Sequence, residues 1–114
     1  MSWEIVLDIF SGRPNPRWIL DPGQEADLSM RLSKLSPGQG LAASLPGLGY
    51  RGFIINPSQS DGGGHLRVFN RIIQGPVGIF EDSNRNLERW LLQTAHPFIE
   101  QSIADMVLNE LNGS

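Results

Sequence analysis

The 114-residue sequence contains no cysteine, which excludes disulfides, thiolate nucleophiles and cysteine-ligated zinc. Lysine is almost missing too: eight of the nine basic residues are arginine, and the ninth is Lys34. Arginine offers a planar fork suited to specific pairing, although a GC-rich genome produces the same ratio without any function. There is no basic excess, since the net charge is −3 and the pI about 5.2. A general nucleic-acid binder needs positive charge to displace counterions from phosphates, so none is expected here. No apolar run reaches the roughly 20 residues of a membrane helix. Met1-Ser2-Trp3-Glu4-Ile5 shows no basic segment ahead of an apolar stretch, so no secretory signal and a cytoplasmic location are expected.

What the chain does have is enough apolar material for one core: 39% hydrophobic residues, with three Trp and five Phe. Its length suits one domain spanning 1–114, with no internal repeat and no dividing linker. Residues 3–10 alternate as a strand, with Trp3, Ile5, Leu7 and Ile9 on one face and Glu4, Val6, Asp8 and Phe10 on the other. Residues 11–16 (SGRPNP) interrupt the ladder, and 17–20 resume as a short strand. Asp21, Pro22 and Gln24 form a helix start with a capping box, and Leu28, Leu32 and Leu35 give that helix one apolar stripe.

Residues 36–49 are rich in Gly, Pro and Ser and read as a surface loop with a helical turn at 41–45. Strands are expected at 50–56 and 66–74, joined through the glycine-rich tip 57–65, with 75–80 as a connector or short edge strand. Asp82 or Ser83 can cap a helix running to Thr94, with Leu87, Leu91 and Thr94 on its inner side. His96-Pro97 breaks it, and a last helix over 98–111 presents Ile99, Ile103, Met106 and Val107. The fold class expected is α+β: a small antiparallel-rich sheet of about four strands, packed with about three helices, one layer of each.

Several side-chain groups could carry chemistry. The two prolines of the SGRPNPRW segment stiffen it. Arg13 there either grips a carboxylate or phosphate or pairs internally with Asp8, Asp21 or Glu81, while Asn15 can satisfy backbone donors and Trp18 closes the segment. The strand phases place Glu4, Asp8 and Phe10 of the first strand, Arg51, Phe53 and Ile55 of the third, and Arg67, Phe69, Arg71 and Ile73 of the fourth on one shared surface, opposite an aliphatic core. A face of arginine and phenylalanine is typical of protein interfaces, while its bland alternative is a solvated surface laced with ion pairs. Asp61 and His65 flank three glycines, but no P-loop lysine follows, and His96 is the one other imidazole, so a hairpin tip explains this tract without phosphate or metal.

Residues 10–18 (FSGRPNPRW) and 47–53 (GLGYRGF) resemble a family of small bacterial proteins with an FSGRPNPxW…GLGYRGF pattern. The resemblance covers most of the chain from the first strand through the middle hairpin. It implies an accessory subunit beside a peptide-modifying enzyme, and it assigns no residue a role.

The function expected is therefore a non-catalytic protein- or peptide-binding accessory module without cofactor or metal. Its binding residues would be Arg13, Asn15, Trp18, Arg51, Phe53, Arg67, Phe69 and Arg71. The expected partner is a protein or peptide, not nucleic acid or membrane, and self-association is open. The competing reading is a small cofactor-free enzyme with Asp8 as base, Arg13 as anion clamp and His65 nearby.

Overall fold

The computed structural model describes residues 3–10, 14–37, 50–56, 65–75 and 78–112. Expectations for Arg13, for the helical turn at 41–45 and for the glycine-rich tip fall outside those residues. In chain order the elements are β1 (Glu4–Leu7), β2 (Arg17–Ile19), α1 (Pro22–Ser33), β3 (Ser36–Pro37), β4 (Phe53–Asn56), β5 (Leu66–Phe69), β6 (Ile72–Gly75), β7 (Gly78–Glu81), α2 (Asn86–Ala95) and α3 (Gln101–Asn112). The strands form one sheet in the order β2-β1-β4-β5-β6-β7-β3. Every neighbouring pair is antiparallel.

The class is thus α+β, and among the described residues there are three α-helices and a sheet of seven strands rather than about four. Residues 66–74 are not one strand. Asn70 and Arg71 both take positive φ, 52° and 71°, so the chain reverses in a two-residue turn and Phe69 pairs with Ile72. Residues 78–81 are long enough to pair fully with β6, and 36–37 cross to pair with β7 at the far edge.

Alternation decides the core. Ile5, Leu7, Trp18, Phe53, Ile55, Val68 and Ile73 lie on one sheet face, since each is the cross-strand partner of another member. All are buried with Leu28 of α1, Leu87, Leu91 and Ala95 of α2, and Ala104, Val107 and Leu111 of α3. The three helices therefore cover that face, leaving Arg17, Ile54, Arg67, Gln74 and Ile79 on the face without helices.

Helix placement follows local chemistry. Asp21 accepts from the Gln24 amide at 2.7 Å, and the Gln24 side chain returns to the Asp21 amide at 3.0 Å, completing the expected capping box. Pro97 falls in a short 3-10 turn, His96–Phe98, that separates α2 from α3. Helix α3 starts only at Gln101; Val107 faces inward as expected, with Ile99 and Ile103 partly buried against the core, whereas Met106 is turned outward and Ala104 and Leu111 join the buried side. Arg89 donates to the Leu111 carbonyl at 2.9 Å and to Asn112 Oδ1 at 2.8 Å, so a cation from α2 caps the carbonyl end of α3.

Candidate functional site

The site begins with a defect in the ladder. Leu7 faces Phe53, and one step further the Asp8 amide donates to the Gly52 carbonyl at 3.0 Å. The Asp8 carbonyl, however, accepts from Arg51 rather than Gly52, at 2.8 Å. Two residues thus stand opposite one, a β-bulge. Gly52 serves it with φ of +96°, and a Cβ there would lie 2.3 Å from the Val68 carbonyl oxygen. No other residue fits without moving the β5 backbone.

The bulge re-aims Arg51 toward Asp8. Arg51 Nη2 donates to Asp8 Oδ1 at 2.9 Å, and Arg67 Nη1 donates to Asp8 Oδ2 at 2.7 Å and to the Arg51 carbonyl at 3.1 Å. Asn15 closes the group from below, with Nδ2 3.4 Å from Asp8 Oδ1. Its own Oδ1 accepts from the amides of Ile9 and Phe10 at 2.9 and 2.7 Å. Asp8 is buried, while the arginine side chains keep 31% and 25% of their surface exposed. Two cations against one anion leave one net positive charge. Among the described residues Arg51 spends only Nη2 on partners and Arg67 only Nη1, so most of their five N–H donors each stay available.

The other expected site residues divide. Phe53 is fully buried in the core, not on the open face, because the bulge puts Arg51 and Phe53 on opposite sides. Ile55 and Ile73 are buried with it. Trp18 is buried too, its indole N–H donating to Thr94 Oγ1 at 3.0 Å. Phe69 is drawn to the core boundary: its ring meets Tyr50 edge-on at 5.6 Å and lies 5.7 Å from the Arg85 guanidinium carbon. Arg71 sits exposed in the β5–β6 turn, outside any strand. His65 is exposed ahead of β5. Of the expected set, then, the structure unites Arg51, Arg67 and Asn15 around Asp8 and places Trp18, Phe53, Phe69 and Arg71 apart from them, while Arg13 lies outside the described residues.

A second polar group had no expectation attached. Glu88, wholly buried at the start of α2, accepts from Arg85 Nε and Nη2, both at 2.8 Å, from the Asn70 amide at 3.1 Å, and from the Tyr50 hydroxyl. Asp82 accepts from the amides of Leu87 at 2.8 Å and Glu88 at 3.2 Å, doing the work of a helix cap across the left-handed pair Asn84-Arg85. Burial raises the Asp82 carboxyl above its usual range against those two hydrogen bonds. Burial, then the Glu88 charge, pushes the Tyr50 phenol far above its ordinary value, while hydrogen bonds to Glu88 hold Arg85 firmly charged. The Arg85/Glu88 spacing of three was a legible ion-pair signal on a helix. Its burial was not. This group is enclosed, and what it does is tie the β5–β6 turn and residue 50 to α2.

Three open hollows lie elsewhere. One of about 340 Å³ is flanked by Asp21, Asp27, Trp90 and Thr94, one of about 270 Å³ by Leu92, His96, Asp105 and Leu108, and one of about 260 Å³ by Arg31, Ser36, Glu81 and Asn86. Neither Asp8 nor His65 lines any of the three. Among the described residues no cluster of three His, Asp or Glu could hold a metal ion, and no helix is long and apolar enough to cross a membrane. Comparison with protein-family models, with curated proteins and with solved structures gave no match.

Proposed function

We propose that this protein is a non-catalytic protein- or peptide-binding accessory module whose helix-free sheet face receives a partner segment bearing a carboxylate. The observation that carries the reading is the Arg51–Asp8–Arg67 group. A buried carboxylate holds two guanidinium groups, and both arginine side chains keep part of their surface exposed. Fixed, charge-assisted donors lose less freedom on meeting an oxyanion than free arginines would. Ile54 and Gln74, the cross-strand neighbours of Arg67, add apolar and amide surface on the same face. The resemblance to small FSGRPNPxW proteins points to a peptide-modifying enzyme as the setting for such a module.

The enzyme reading has less to rest on. Asp8 as a base would have to share its oxygens with Arg51 and Arg67, and it lines none of the three hollows.

The test is a native-host pull-down with wild type and with R51K/R67K as baits, followed by competition with an acidic and a basic decapeptide. Lysine keeps the charge but lacks the planar fork. The expected result is a partner held by wild type, released by the acidic peptide, and weakened at least ten-fold by the double substitution at unchanged circular dichroism. Equal retention by both baits would refute the assignment.

A further inference from the structure

The two edges of the sheet are built differently. At the β3 edge stands Pro37, which has no N–H, and proline is one common way of blunting an edge. The β2 edge, Arg17–Ile19, has no such residue within it. Register shows which of its backbone groups are free. The Leu7 amide donates to the Pro16 carbonyl and the Leu20 amide to the Trp3 carbonyl, so residues 16, 18 and 20 aim their backbone groups at β1. Arg17 and Ile19 must then aim theirs away from the sheet, and no partner for them exists among the described residues.

The flanks of this edge are apolar on both sides. On the helix-free face Ile19 is 51% exposed. On the helix face Phe98 lies parallel to Trp18 at 6.2 Å between ring centroids and is 56% exposed. Two of the five large exposed apolar residues among those described thus border one unpaired strand.

We infer that the β2 edge pairs with the β2 edge of a second copy of this chain, antiparallel about a two-fold axis at Trp18. A closed two-fold contact requires that residue i meet j and j meet i. Setting Arg17 against Ile19 of the other copy does this. The outward N–H and C=O of both residues then bond in both copies, four hydrogen bonds in all. Arg17 faces an isoleucine rather than a second arginine, so no like charges stand opposite each other. Trp18 meets Trp18, and the two Phe98 rings approach across the axis. The product is one continuous sheet with each β2 moved from edge to interior. This contact is separate from the Arg51–Asp8–Arg67 group and does not depend on it.

Sedimentation of the full chain from 1 to 500 µM tests it, together with amide exchange at Arg17, Trp18 and Ile19. The expected mass is two protomers at the upper end, with protection of the Arg17 and Ile19 amides rising with concentration and Trp18 protected throughout. Ile19→Pro removes an outward N–H that β1 does not use, and Ile19→Lys places like charges beside the axis. Each should weaken association at least ten-fold at an unchanged melting temperature. One protomer at every concentration would overturn the inference, as would a dimer indifferent to a folded Ile19 variant. A monomer whose Arg17 and Ile19 amides become protected only with a different protein present would equally refute self-pairing.

Discussion

Glu88 shows how much one side chain can carry in a small domain. Its carboxylate is wholly buried, and Arg85, Tyr50 and the Asn70 amide all converge on it. The pair is net costly to bury compared with apolar residues, yet breaking it is worse, because the surviving charge has nowhere to go. Glu88→Gln keeps the volume and removes the charge beneath Arg85. The expected loss is about 3 kcal/mol of unfolding free energy, read as a lower denaturant midpoint at unchanged slope. A midpoint within error of wild type would mean that Arg85 finds solvent in the folded state. Legibility at this scale was uneven. Asn15 as a backbone acceptor could be foreseen, since asparagine in a proline-bounded turn has few other uses. Glu88 reads in sequence as an ordinary surface residue of a helix, and only the way the β5–β6 turn comes to rest on α2 makes it interior.

Elements whose signals are local were readable, and those defined by pairing were not. The α1 start needs only Asp21, Pro22 and Gln24, three residues within four positions. The bulge at Arg51 and Gly52 needs Asp8, more than forty positions away, and a single extra residue exchanges the faces of everything before it. That is why Arg51 and Phe53, expected side by side, lie on opposite sides of the sheet, and why Arg67 alone of the β5 and β6 expectations keeps its place. The β5–β6 turn was missed for a related reason: an Asn-Arg pair lacks the glycine that usually marks such a reversal. Arg71 holds φ of 71° there with its side chain exposed. Arg71→Gly should therefore stabilise the protein by about 1 kcal/mol, seen as a rise in melting temperature. A fall would show that the Arg71 side chain contributes more than its backbone strain removes.

Over the whole molecule, the coupling of sheet to helices has a pH signature. Tyr50 is the one tyrosine in the chain, so tyrosinate absorbance reports it alone. Its phenol is raised by burial and by Glu88, and a group raised in the folded state contributes stability fully below its unfolded value. That contribution is lost as pH climbs above about 10, where unfolded tyrosine ionises. Alkaline titration should thus show absorbance at 295 nm and loss of far-ultraviolet circular dichroism in one shared transition. A tyrosinate band that develops while the dichroism is intact would contradict the burial of this residue. The single α+β layer arrangement was visible from composition and element order, but not the number of strands, because two of the extra ones arise where a reversal or a distant pairing partner makes a strand of a short segment.

The strand order also has a mechanical side. Helix α1 leaves the sheet at β2, one border, and delivers the chain to β3, the opposite border. Seven strands span six spacings of about 4.8 Å, or roughly 29 Å, whereas twelve helical residues rise only about 18 Å. The short connections on either side must make up the difference, so α1 works as a diagonal brace anchored through Leu28 to the interior. A load that peels one border pulls on the other through that brace.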